Sequence, residues 1–155
     1  MHILFVCTGN TCRSPMAEGI ARRLIADRGL RDLAVSSAGT SAWTDAPASD
    51  GSLLVAMEHG IDLAEHRARQ LSPDIVAASE IILAMGPHHL ERAEALGGSG
   101  RTWLLTGFVD ANRARPVSDP FGGELDIYRA TYDELEDEIG LVLDRIVRDR
   151  RGPST

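Results

Sequence analysis

The chain is 155 residues long, about one domain's worth, and its 43% hydrophobic and 25% charged composition is that of an ordinary folded protein, which excludes a disordered tail or a fibre. Its 23 acidic side chains outnumber 16 basic ones, all of them Arg, and the net charge of −7 excludes the broad cationic face that grips nucleic acid or an anionic membrane. No apolar run approaches the ~20 residues that span a bilayer, no basic segment precedes the first apolar run, and Cys7 and Cys12 are too few and too close for a secreted disulfide framework. The expectation is a single cytoplasmic domain over residues 1–155 that binds neither nucleic acid nor membrane.

Apolar His2 to Val6 reads as a strand, ending at Cys7. After Thr8, Gly9, Asn10, Thr11, Cys12 and Arg13 a helix opens, with Ser14 expected as its N-cap, Pro15 as its first residue, Ile20, Ala21, Leu24 and Ile25 as its buried stripe and Gly29 as its stop. Leu33 to Ser37 is a second strand, and Asp50 to His59 a second helix closed by Gly60. Ser72 and Pro73 open a short third helix, Glu80 to Met85 is a strand, Pro87 to Leu96 is a helix ended by the glycine-rich turn at 97–100, and Arg101 to Leu104 is the fourth strand. In the last helix, Leu125 to Arg150, apolar Leu135, Ile139, Val142, Leu143 and Ile146 recur at spacings of three and four. Strands alternating with helices predict an α/β fold: a parallel sheet, helices on both faces, right-handed crossovers and a ligand beyond the strands' C-terminal ends, where Cys7 sits. The irregular stretches Thr40 to Ser49 and Thr106 to Gly123 are long enough to wall a site.

The loop between Cys7 and Arg13 has a chemistry of its own. Gly9 and Asn10 tolerate unusual backbone angles, so successive N–H groups can curl towards one centre in front of a helix N-terminus, an arrangement that holds an anion. The same field favours a thiolate. A free Cys is only a few per cent ionised at neutral pH, and keeping the sulfur charged calls for ~4 kcal/mol, which convergent amides, Arg13 and a hydroxyl donor from Ser14 can supply together. Arg13 can also fork two donors onto phosphate oxygens. Phosphoryl transfer to sulfur needs an acid for the leaving group, and Asp119 is the candidate; alone, Asp119-Pro120 would be an ordinary turn opener.

With these residues in hand, the chain resembles the low-molecular-weight protein tyrosine phosphatase family over nearly its whole length, through CTGNTCRSP at 7–15, SAG at 37–39, GIDLAEHRARQL at 60–71 and DPFGG at 119–123. The resemblance implies a three-layer α/β sandwich with a four-stranded parallel sheet, no metal, no organic cofactor, phosphorylated proteins as substrates and inorganic phosphate as product. It implies Cys7 as the nucleophile that becomes a cysteinyl-phosphate, Thr8, Gly9, Asn10, Thr11, Cys12 and Arg13 as the phosphate-binding loop, and Asp119 as acid and later base. Ser14 would hydrogen-bond the thiolate, Asn10 would hold the loop in a left-handed turn braced by Ser37 and His66, and Cys12 would trap Cys7 as a reversible disulfide under peroxide. Thr11, Phe121 and the LDIYRATYDELED stretch at 125–137 are similar to the protein-arginine phosphatase branch, where a hydroxyl at the cavity rim can meet a polar guanidinium. A tyrosine phosphatase is the alternative, since Phe121 and Trp43 offer apolar walls to either substrate.

Other readings have less behind them. Arsenate reductases share the fold and loop but relay through later cysteines, and this chain has none after Cys12. A zinc site would have to recruit His2 and His66 to two thiols at an unusual spacing. A phosphopeptide-binding module could dispense with the thiol and the acid. His59, His88 and His89 read as solvent-facing or satisfied side chains, Tyr128 and Tyr132 as packing residues, Asp133 to Glu138 as a solvated acidic face, and Arg145 to Arg151 as complement to a helix C-terminus.

Overall fold

The computed structural model describes residues 1–150; Arg151, the last of the Arg-rich end, lies outside the described residues. The elements run β1 (His2–Cys7), α1 (Arg13–Asp27), β2 (Ala34–Gly39), α2 (Asp50–Glu58), α3 (Pro73–Ala77), β3 (Ile81–Ala84), α4 (Pro87–Ala93), β4 (Thr102–Leu104) and α5 (Leu125–Arg150). The four strands form one parallel sheet in the order β2-β1-β3-β4. The strand order reverses beside β1, so a crevice opens beyond the end of β1, where open parallel sheets bind ligands. No helix of the described residues is long and apolar enough to cross a membrane.

Both faces of β1 are covered, which is why its sequence is apolar without alternation. Ile3, Phe5 and Cys7 join a core with Met16, Ile20, Leu135, Ile139 and Val142 from α1 and α5, while Leu4 and Val6 face Leu71, Val76 and Ala93 on the other side. Burying each of these large side chains contributes about 1.5–3 kcal/mol. Tyr128 and Tyr132 pack in the first core as expected, and His59 stacks on Tyr132 at 3.9 Å between ring centroids.

The helix ends show how local sequence sets the boundaries. At the C-terminus of α1 the Gly29 amide bonds to the Ala26 carbonyl and the Leu30 amide to that of Ile25, with Gly29 at φ 66°: a closure that needs the glycine. Ser72 caps α3, accepting from the Ile75 amide at 3.3 Å, with Pro73 first in the helix. The start of α1 departs from expectation. The helix begins at Arg13, Cys12 occupies the cap position, and Ser14 caps nothing because its hydroxyl is turned back onto the loop. Helix α4 is shorter than its sequence pattern, passing at Glu94 into a wider turn that Gly97 ends at φ 110°.

A second departure is Glu138. Read as part of a solvated acidic face, it is only 4% exposed, because Arg113 reaches in from the segment before Asp119 and grips both carboxylate oxygens at 2.7 and 3.3 Å. A buried carboxylate is tolerated when paired in this way.

Candidate active site

The loop after β1 is held by its carbonyls. That of Cys7 accepts from the Thr40 amide at 2.9 Å, that of Thr8 from Ser41 at 2.9 Å, that of Asn10 from the His66 ring at 2.7 Å and that of Thr11 from Ser49 at 2.8 Å. None of the amides from Thr8 to Arg13 is bonded to a carbonyl among the described residues. With the acceptors tied to the surrounding scaffold, the donors are left for whatever enters the cavity, directly before the N-terminus of the 15-residue helix α1.

One residue makes the curl possible. Asn10 sits at φ 57°, in the left-handed region that Asn enters more readily than most side chains; Gly9, also expected to bend this way, does not. The other glycine that matters is Gly39, paired with Cys7 in the sheet register. A Cβ there would strike the Thr8 carbonyl oxygen and stand 2.9 Å from the Asn10 amide nitrogen, so the loop can pass only over a glycine.

Behind the loop runs a chain of hydrogen bonds whose direction can be read. The Asn10 Oδ1 accepts from the Arg69 amide at 2.9 Å, which fixes the side-chain amide. Its Nδ2 therefore donates to Ser14 Oγ at 2.8 Å and to Ser37 Oγ at 2.9 Å, and Ser37 donates onward to Glu18 at 2.8 Å. Because Ser14 already accepts from Asn10, its own hydrogen is available to the Cys7 sulfur, 2.8 Å away. Glu18 anchors this chain and was not among the residues singled out from sequence; its place one helical turn after Ser14 was the available signal.

Across the cavity, Arg13 is buried, donates to the Val117 carbonyl at 2.9 Å and places Nη2 3.5 Å from Asp119 Oδ2. The Asp119 carboxylate also accepts from the Phe121 amide at 3.0 Å. Cys7, Thr8, Gly9, Thr11, Cys12, Arg13, Asp119 and Phe121 enclose a cavity of about 200 Å³. A larger hollow of about 270 Å³, bounded by α1, His59 and Tyr132, is lined by neither cysteine, and the anion-binding loop opens only into the smaller space.

Of the remaining residues read from sequence, Asn10, Ser14, Ser37 and His66 brace the loop from behind, as described. Trp43 does not wall the cavity. It is 85% exposed and absent from the lining, because the 40–49 segment is fastened by backbone bonds from Asp45 to Ala68 and from Ala68 to Ala46, which leaves the indole in solvent. Cys12 is buried with its sulfur 3.3 Å from Ser49 Oγ and 3.6 Å from the Tyr128 hydroxyl, whose acidity burial weakens. Both cysteines are free thiols. No group of three or more His, Cys, Asp or Glu able to hold a metal occurs among the described residues.

His89 is the other departure. It is buried and only half satisfied: Nε2 lies 2.8 Å from Thr8 Oγ1, while Nδ1 has no partner. Burial above all, then the Arg13 and His88 charges, pushes its pKa down to about 4. The His88-His89 pair on a short helix carries no sequence signal that separates the exposed member from the buried one.

A parallel α/β sheet with a thiol at the mouth of its central strand, a pinned loop of free amides and an arginine across from it defines the cysteine-dependent phosphatases. The family model for "Low molecular weight phosphotyrosine protein phosphatase" matches residues 2–151, and the chain belongs to this family. It is 35% identical over 153 residues to the protein-arginine-phosphatase of Bacillus subtilis (strain 168), covering 97% of this chain and 100% of that one. It is 37% identical over 136 residues to the low molecular weight protein-tyrosine-phosphatase PtpB of Staphylococcus haemolyticus, covering 87% of this chain and 92% of that protein. The structure of a YwlE arginine phosphatase mutant with a phosphorylated active-site serine superposes with a TM-score of 0.91 at 35% identity, over 97% of this chain and 99% of the other.

Proposed function

We propose that this chain works as a single domain that removes phosphate from phosphoarginine in proteins. The observation that carries the chemistry is the loop itself: acceptors tied outwards, donors free, a sulfur beneath and Arg13 and Asp119 3.5 Å apart at its side. In the first step the Cys7 thiolate attacks phosphorus, the P–N bond breaks and its electron pair returns to the guanidine nitrogen, which takes a proton from Asp119. Arg13 and the loop amides bind the three oxygens on which negative charge gathers. In the second step water attacks the phosphocysteine, Asp119 accepts the proton, and the sulfur departs as thiolate with inorganic phosphate as product. Cys12 is the thiol that would close on an oxidised Cys7 and spare it from further oxidation.

The choice of arginine rests on the relatives named for that activity and on Thr11, which lines the cavity and offers a hydroxyl to a polar guanidinium. The second reading, a tyrosine phosphatase, rests on the relatives named for that activity, PtpB of Staphylococcus haemolyticus among them, while Phe121 at the same rim is an apolar wall that suits either substrate. Relative kcat/KM on matched phosphoarginine and phosphotyrosine peptides separates the two. The wild type should prefer phosphoarginine, and Thr11→Ile should move the ratio ~10 to 100-fold towards phosphotyrosine, the effect of leaving one buried polar group unmet. A ratio that Thr11→Ile does not move would sink the assignment to arginine.

A further inference from the structure

The orphaned Nδ1 of His89 decides which way a proton points at the cavity. The ring is 6% exposed and neutral, since its pKa lies near 4, so it carries one hydrogen for two nitrogens. Two arrangements are then open to the 2.8 Å contact between Nε2 and Thr8 Oγ1. If Thr8 donated to the ring, the hydrogen would have to sit on Nδ1, a buried N–H with no acceptor. If instead Nε2–H donates to Thr8, Nδ1 keeps only a bare lone pair. Buried donors without partners are the rarer of the two defects, so the second arrangement is favoured. The lone hydrogen of the Thr8 hydroxyl is then unused, and Thr8 lines the cavity directly after Cys7.

We infer that His89 is a positioning residue for the phosphoryl group: by donating from Nε2 to Thr8 Oγ1 it turns the Thr8 hydroxyl hydrogen into the cavity, where it donates to a phosphate oxygen. This rests on the phosphatase reading above and adds a side-chain donor to the amides and Arg13. A neutral ring suits the task, because a protonated one would add a second charge beside Arg13 and use both nitrogens as donors. The cost of the arrangement, one unpaired buried nitrogen, is confined to the side of the ring that faces away from Thr8.

The test is a double-mutant cycle read by competitive inhibition with inorganic phosphate, using para-nitrophenyl phosphate as substrate. His89→Leu should weaken phosphate about tenfold and raise KM, with kcat changed less. His89→Gln, whose amide nitrogen reaches the position of Nε2, should stay within about twofold of wild type, whereas the shorter His89→Asn should behave as Leu does and stands in for it if the Leu variant does not fold. In a Thr8→Val background, removing His89 should cost nothing further. Equal losses in both backgrounds, no loss in either, or a loss that Gln fails to recover would overturn the inference and leave the phosphatase reading standing. A wild type that neither binds phosphate nor turns over substrate would take both down.

Discussion

Two loops face each other across the cavity and are built in opposite ways. In the loop from Thr8 to Cys12, Asn10 is wholly buried and bonded through its side chain to Ser14, Ser37 and the Arg69 amide, and the neighbouring carbonyls are tied down in turn. The loop from Asp119 to Gly123 lies at the surface: Phe121 is 76% exposed, and the chain is held by the Arg13 pair, the Phe121 amide and a turn bond from Gly123 to Pro120. Groups that stabilise developing charge work best when already in place, because nothing then reorganises during the reaction. An acid that must meet protein substrates and release them is better carried on a segment of lower local stability. The root of that segment is firm, however, where Val117 bonds to the Met85 carbonyl and Arg113 clasps buried Glu138.

The contrast can be broken or sharpened by substitution. Cys7→Ser should reduce turnover by more than ~10³-fold while equilibrium dialysis still shows phosphate binding, since the rigid loop survives the loss of its sulfur. Substantial residual turnover would end the covalent route. Asp119→Asn should lower kcat ~10²- to 10⁴-fold on a phosphopeptide yet leave the melting temperature within about 2 °C, because an exposed acid contributes to chemistry and little to stability. Asn10→Ala should do the reverse in kind. Losing three side-chain hydrogen bonds and the residue best suited to φ 57° should cost about 3 kcal/mol, a melting temperature lower by roughly 6–12 °C, with activity falling as the loop loosens. If calorimetry finds Asn10→Ala as stable as wild type, the loop is not held in the way described. Phe121→Ala should have the smallest effect, a KM change of at most ~5-fold with no shift in melting temperature.

Much of this was legible in the chain. The uninterrupted apolar run to Cys7, the small residues after it and Arg13 are neighbours in sequence, so local geometry suffices to predict an anion-binding curl at the mouth of a strand. The helix closed by Gly29 and the cap at Ser72 were readable for the same reason. Ser14 departs from the cap its position predicts because its competing partners, Cys7 and Asn10, lie across a turn that propensity does not describe. Glu138 departs from the solvated face its charge predicts because its spacing from Leu135 and Val142 puts it on the buried stripe, and the arginine that pairs it comes from 25 residues away.

The sequence by itself determined the order of strands and helices, the sulfur at a strand end and the donor-rich loop, since these depend on side-chain periodicity and on backbone freedom over a few residues. Only the tertiary structure decided that Gly39 must yield room to the loop, that Glu18 ends the hydrogen-bond chain to Cys7, that Trp43 stays outside the cavity and that His89 rather than His88 reaches Thr8. Such contacts join residues tens of positions apart, and their existence is settled by how the sheet and its two layers of helices pack.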